Sequence, residues 1–283
     1  MYDVFLSHID EDKPIVEKIA KQLKHEHGLK VWFDKWNIVP GTSFQQAMSK
    51  GLKESKTCAI FIGKSPPESW CQEEIQVALN QGTKDNTFRV IPIFLPHANT
   101  DTINAFLKSR SWIDFSKGID YGNEMYRLVC GIQGISPDGS PVVSVRPKLI
   151  NEDIPNKDMY SVFFSYSADS LDITEKVATY LTDNNVNIWF DKWNSIPGDD
   201  WRLAITEALS NSYSAAIVVG SGYKDDIFFN NILQDIEKRI KEKPYIKILL
   251  VLFNDIEISD IPLFLQSYRC VNLSSDHDVV DTL

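Results

Sequence analysis

Apolar residues along this chain gather in short unbroken runs, separated by longer stretches in which they recur every three or four positions. The runs Asp3–Ser7, Leu29–Asp34, Cys58–Ile62, Val90–Leu95 and Trp112–Phe115 read as strands. After the first of them, Ile15, Ile19, Ala20 and Leu23 fall at helical spacing, and Gly28 marks a stop. A final helix is expected over Asn123–Ile132. The same succession then returns, with strand runs at Ser161–Ser165, Val186–Asp191, Ala215–Val219, Ile246–Phe253 and Cys270–Leu273. Wholly apolar strands alternating with helices imply a parallel sheet covered on both faces. The pattern therefore predicts an α/β protein with two tandem flavodoxin-like sheets of about five strands each.

The return is a repeat in the residues themselves. Trp32-Phe33-Asp34-Lys35-Trp36-Asn37 recurs as Trp189-Phe190-Asp191-Lys192-Trp193-Asn194, and Pro40-Gly41 recurs as Pro197-Gly198, all at an offset of 157. Gly63 falls on Gly220 at the same offset, and Val4-Phe5-Leu6-Ser7 meets Val162-Phe163-Phe164-Ser165 after one small gap. Such a period is too long for a solenoid of roughly 20–50 residues per repeat, so it marks a duplicated domain. The expected division is 1–135, a linker over 136–158 carrying Pro137, Gly139, Pro141, Pro147 and Pro155, and 159–283.

Charge and cysteine content narrow the partners. Of the net charge of −10, residues 159–283 carry −9 and residues 1–140 only −1. An acidic surface repels phosphates, so neither nucleic acid nor an anionic membrane is an expected partner. No apolar run reaches the roughly 18 residues needed to span a bilayer, and Met1-Tyr2-Asp3 opens no secretory signal. The cysteines Cys58, Cys71, Cys130 and Cys270 are scattered, with no metal-ligand spacing, which fits a reducing, cytoplasmic setting and no metal.

In a doubly wound sheet, ligands bind beyond the carboxyl ends of the strands. Ser7-His8, Asp34–Gly41 and the segment after Gly63 are all expected at that edge. Three motifs there resemble those of the TIR (Toll/interleukin-1 receptor) family. They are the opening Asp3-Val4-Phe5-Leu6-Ser7-His8, the strand and loop Val31-Trp32-Phe33-Asp34…Pro40-Gly41, and Trp70-Cys71-Gln72-Glu73-Glu74. The first two occur in both repeats, the third in the first repeat only.

The resemblance implies one of two activities. Some such domains cleave NAD⁺ at the nicotinamide–ribose bond through the glutamate of the Trp-x-x-x-Glu segment, here Glu74; others assemble signalling complexes without catalysis. Nicotinamide leaves as a neutral molecule from a cationic precursor. One carboxylate facing the developing sugar cation can therefore suffice, where O-glycoside hydrolysis takes two. Ser7, His8, Asp34, Trp36 and Trp70 are the candidate substrate contacts. Lys35, Pro40, Gly41, Lys192, Trp193, Pro197 and Gly198 are the candidate interface loop residues. NAD⁺ enters as substrate, no cofactor is implied, and the expected partners are other domains of the family, in a homo-oligomer or filament. At offset 157 Glu74 falls on Asn231 and Trp70 on Ile227, so the second repeat is expected to be inert and to serve as a scaffold, offering its loop to a first-repeat pocket in the same chain or in the next.

Overall fold

The computed structural model describes residues 1–38, 43–65, 77–78, 88–99, 103, 105–138, 159–242, 246–253 and 256–273. The first repeat contributes β1 (Tyr2–Ser7), β2 (Val31–Trp32), β3 (Ser55–Ile62), β4 (Arg89–Phe94) and β5 (Ile113–Asp114). They form a parallel sheet in the order β2-β1-β3-β4-β5. The second repeat contributes β6 (Tyr160–Tyr166), β7 (Ile188–Trp189), β8 (Ser212–Val219), β9 (Lys247–Phe253) and β10 (Cys270–Leu273). Read from its matching edge, this sheet runs β7-β6-β8-β9-β10 and is again parallel. Two tandem flavodoxin-like sheets, flanked by helices, are therefore present.

Alternation along the strands sorts the first repeat's core into two layers. Val4, Leu6, Ala59, Phe61, Ile91 and Ile93 face the helices Lys13–His25 and Glu124–Gln133. Phe5, Cys58, Ile60, Ile62 and Val90 face the other way, against Met48 and Leu52 of the helix Phe44–Lys53. Phe5, Phe33 and Phe115 are completely buried, each worth about 1.5–3 kcal/mol of transfer free energy. Cys58 and Cys130 are buried free thiols.

Several elements differ from the sequence expectation. In the helix Lys13–His25 it is Val16, with Ile19, Ala20 and Leu23, that is buried; Ile15 only packs against the cluster from its rim. The expected strand Leu29–Asp34 shrinks to Val31–Trp32, because the Phe33 N–H is taken by Oδ1 of Asn37 at 3.0 Å and Asp34–Asn37 turn into one helical turn. The second repeat shortens Val186–Asp191 to Ile188–Trp189 in the same way, with Phe190 N donating to Asn194 Oδ1 at 2.7 Å. Strand β3 starts earlier than expected, at Ser55, which pairs with Tyr2. The last helix spans Glu124–Gln133, and Gly134 ends it at φ +71°.

The chain divides into two compact units. The first takes in the described residues up to 138 and also the short segment Ser195–Trp201; the second holds the remaining described residues. Within the first unit, Ser195–Trp201 lies along the amino ends of β4 and β5. Gly198 N donates to Ser111 O at 2.8 Å, and Ser111 N to Asp199 O at 2.8 Å. Trp201 donates twice, from N to Ser109 O at 3.2 Å and from Nε1 to Lys108 O at 2.9 Å. Arg89 Nε meets Asp199 Oδ1 at 3.1 Å. Among the described residues, no helix is long and apolar enough to cross a membrane.

Candidate functional site

The strand order reverses direction between β1 and β3, and the crevice outside their carboxyl ends is the ligand position of this architecture. Residues Ser7 to Asp12 leave β1 there, and Gly63 to Ser65 leave β3. Ser7 and His8 are 0% and 2% exposed, so both belong to the floor of this edge. The His8 ring stacks on Phe33 at 5.2 Å. Its Nδ1 lies 3.1 Å from Leu6 O, and its Nε2 lies 3.7 Å from Asp34 Oδ1. Burial lowers the His8 pKa below its ordinary value, only partly offset by Asp34, so the ring is neutral at pH 7.

Asp34 is itself buried and bound on several sides. Lys13 Nζ reaches its Oδ2 at 2.9 Å while also holding Asp10 at 2.7 Å, and the Lys35 N–H donates to Oδ1 at 2.6 Å. The second repeat keeps the arrangement with other chemistry: the Tyr166 hydroxyl, at the place of His8, donates to Asp191 at 2.6 Å. The repeated aromatic residues also have local partners. Trp32 stacks on Phe5 at 4.4 Å and Trp189 on Phe163 at 4.9 Å. Trp36 and Trp193 pack edge-on against Phe33 and Phe190, both at 5.1 Å. Lys24 lies over the Trp36 ring at 5.0 Å, and Lys35 pairs with Glu17 at 2.7 Å. The motif Trp-Phe-Asp-Lys-Trp-Asn thus builds the turn after the second strand of each repeat.

One residue at this edge escaped the sequence reading. Asp12 precedes the helix Lys13–His25 and abuts Gly63 so closely that a β-carbon there would lie 2.3 Å from its Oδ1. Its Oδ2 is buried without a hydrogen-bond partner among the described residues. Burial, assisted by neighbouring Glu11, raises its pKa from 3.8 to about 6. The equivalent Asp169 abuts Gly220 in the same manner but is fully engaged. It accepts from Ser167 Oγ at 2.7 Å, Gly222 N at 2.9 Å and Ser221 Oγ at 3.2 Å. Burial opposes ionisation here too, but these donors outweigh it and its pKa is lowered. The signal that could have found the pair is their shared offset of 157, the same that links Gly63 to Gly220.

The second repeat closes its own edge further. Asp226 accepts from Ala168 N and from Phe229 N, both at 2.9 Å, and so ties the loop after β6 to the start of the helix Ile227–Glu242. Asn231, the counterpart of Glu74, sits on that helix, and Ile227, the counterpart of Trp70, is 78% exposed. Trp70, Cys71 and Glu74 lie outside the described residues, as do Pro40 and Gly41. Of the other loop candidates, Pro197 and Gly198 are buried in the first unit, while Lys192 and Trp193 are half-buried. Within that unit Pro197 and Gly198 lie at the amino ends of β4 and β5.

A family model described as TIR domain matches residues 4–129 and again residues 162–283. Among curated proteins, the chain is 28% identical over 133 residues to the NAD(+) hydrolase TcpA of Theionarchaea archaeon (strain DG-70-1), a span of 45% of this chain and 40% of that protein. It is 35% identical over 95 residues to the NAD(+) hydrolase TirS of Staphylococcus aureus (strain MSSA476), covering 33% and 34%. It is 39% identical over 62 residues to the 2' cyclic ADP-D-ribose synthase AbTIR of Acinetobacter baumannii (strain 1295743), covering 22% and 23%. The matched region therefore spans less than half the length of each of these relatives.

Proposed function

The chain belongs to the TIR domain family, and from that premise we propose that its first repeat cleaves the nicotinamide–ribose bond of NAD⁺, with Glu74 as the catalytic carboxylate. The reading is supported by relatives named NAD⁺ hydrolases and 2' cyclic ADP-D-ribose synthases. The observation that carries it is the difference between the repeats. The first keeps Trp70-x-x-x-Glu74 in the segment after β3; the second has Ile227 and Asn231 there and ties its loops to each other through Asp169 and Asp226.

In the proposed reaction the carboxylate of Glu74 hydrogen-bonds the ribose hydroxyls and faces the cation that forms as the C–N bond breaks. The bonding electrons leave with nicotinamide, which becomes neutral and needs no proton. Attack on the sugar cation by water gives ADP-ribose and a proton; attack by a hydroxyl of the same molecule gives a cyclic product. Trp70, four residues before Glu74 in sequence, would wall the site from water. NAD⁺ is consumed as substrate, and no cofactor takes part. Activity would follow self-association of the chain, in the cytoplasm, as part of a defence response.

A non-catalytic role is favoured for the second repeat alone, by Asn231. An uncharged amide cannot offset a sugar cation as a carboxylate does.

The test is nicotinamide release from NAD⁺ by the full chain at high protein concentration, beside Glu74→Gln. Release by the parent and a loss of at least about 100-fold in the variant is the expected result, on the scale of removing one preorganised electrostatic group. No release from the parent across the concentration range, or full activity in the variant, refutes the proposal and leaves the adaptor reading.

A further inference from the structure

Asp12 stands at the N-cap of the helix Lys13–His25, where an aspartate ordinarily accepts the backbone N–H two or three residues on. Among the described residues its side chain makes no such bond. The carboxylate lies instead over Gly63, where a β-carbon on that glycine would stand 2.3 Å from Oδ1 and 2.4 Å from Oδ2. Oδ2 is buried and meets no donor among the described residues. A forgone cap and an orphaned acceptor in one side chain break two local rules at once, and such breaks gather at functional sites.

The donors beside it are committed to other carboxylates. Lys13 Nζ holds Asp10 at 2.7 Å and Asp34 at 2.9 Å. Ser65 Oγ, on the segment leaving β3, donates to Glu11 Oε2 at 2.5 Å. The second repeat shows the opposite arrangement. Asp169, seated on Gly220, is met from its own chain by the hydroxyls of Ser167 and Ser221 and by the N–H of Gly222. The repeat with Asn231 thus satisfies this carboxylate itself, while the repeat with Glu74 leaves it for a donor from outside.

The surroundings narrow what that donor can be. Asp10, Glu11 and Asp12 leave β1 as three successive carboxylates, followed by the single cation Lys13. Such an edge repels a pyrophosphate and attracts the end of NAD⁺ that carries the pyridinium charge. That end offers two kinds of donor: the ribose hydroxyls, which the proposed reaction assigns to Glu74, and the N–H₂ of the carboxamide. We propose that Oδ2 of Asp12 accepts a hydrogen bond from the carboxamide N–H of NAD⁺, which makes Asp12 a specificity-determining residue of the first repeat. The inference rests on the proposed function and adds a reason for that site to take the amide and refuse the acid. A carboxylate in place of the carboxamide would set two anions together where an acceptor had met a donor.

The test is ligand binding by calorimetry at pH 7.5, above the Asp12 pKa of about 6. The two-repeat chain carries Glu74→Gln, so that no ligand is consumed. The ligands are NAD⁺, its 3-acetylpyridine analogue (a methyl ketone with no N–H) and nicotinic acid adenine dinucleotide, in which a carboxylate replaces the amide. With Asp12 intact, the methyl ketone should bind at least about tenfold more weakly than NAD⁺, the low end for a hydrogen bond to a charged group, and the acid more weakly still. Adding Asp12→Ala should erase the difference between NAD⁺ and the methyl ketone. Asp12→Asn, whose amide can donate to a carboxylate, should narrow the preference over the acid at least about tenfold. Gly63→Ala, which drives the carboxylate off its seat without altering it, is an independent second variant and should behave as Asp12→Ala; circular dichroism checks that each variant folds. Equal affinity for NAD⁺ and the methyl ketone with Asp12 intact, a preference that survives Asp12→Ala, or no binding of NAD⁺ overturns the inference. Turnover is read separately on the parent. Cleavage of NAD⁺ together with a preference indifferent to Asp12 sinks the inference alone, whereas Asp12-dependent binding without cleavage by the parent counts against the catalytic proposal alone.

Discussion

Replacing Asp12 and, separately, Asp169 by asparagine should move stability in opposite directions, although the two occupy the same place in their repeats. Asp12 is ionised at neutral pH at a cost, since burial lifts its pKa from 3.8 to about 6 and no donor among the described residues meets its Oδ2. Between those two values the native state holds a proton that the unfolded chain has lost. Stability therefore falls as pH rises through that window, and the whole cost is present above pH 6. A shift of about two units corresponds to roughly 3 kcal/mol without screening; for a half-exposed carboxylate about 1 kcal/mol is the reasonable figure. Asp12→Asn keeps the shape and removes the charge. At pH 7.5 it should stabilise by about 1 kcal/mol, or roughly 3 °C in Tm, and the gain should fade toward pH 4. Asp169 has the reverse sign: its pKa is lowered by the Gly222 N–H and the Ser167 and Ser221 hydroxyls despite burial. Its contribution is present above its unfolded value and is lost as pH falls through its folded one. Asp169→Asn should cost about 1 kcal/mol at pH 7.5, the size of a net hydrogen-bond contribution. Scanning calorimetry of both variants from pH 4 to 8 is the assay. A lower Tm for Asp12→Asn at pH 7.5, or shifts of the same sign in both variants, would refute the reasoning.

Two further outcomes follow from packing and burial. Gly51→Ala would place a β-carbon 2.3 Å from the Trp32 indole, which is 4% exposed and stacked on Phe5. The expected net loss is about 1–2 kcal/mol, the overpacking cost less the helical gain of alanine; urea unfolding that shows a gain would mean the indole yields freely. The buried His8 should titrate below 6.5 by proton NMR, and its unfolded form takes up the proton first, so stability should drop as pH falls below 6.5; a midpoint above 6.5 would contradict the burial argument.

The parallel architecture was legible because both faces of each sheet are covered, which turns strands into apolar runs such as Cys58–Ile62 that no turn residue interrupts. The duplication was legible because six consecutive residues recur. What those six do was not. Periodicity cannot say that the Asn37 and Asn194 side chains cap the turn by accepting from a backbone N–H four residues earlier, and so cut the second strand to two residues. Nor could it separate Ile15 from Val16, since both lie near the helical stripe and only the crossing of helix over sheet decides between them. Asp12 was passed over because Asp10-Glu11-Asp12 reads as a solvated helix start. Its partnerless oxygen depends on Gly63, 51 positions away. The seat of Ser195–Trp201 rests on carbonyls of Lys108, Ser109 and Ser111, and main-chain acceptors leave no trace in residue type.

That seat also sets an order of events during synthesis. A ribosome that has delivered the first 138 residues has made nearly all of the first unit, but not the segment that completes it. At roughly 5–20 residues per second, Trp201 emerges on the order of 3–12 s later. Through that interval three carbonyls at the amino ends of β4 and β5 wait for donors, and the hollow beside Gly131 waits for Pro197. A first repeat expressed alone remains permanently at the stage the two-repeat chain passes through in seconds.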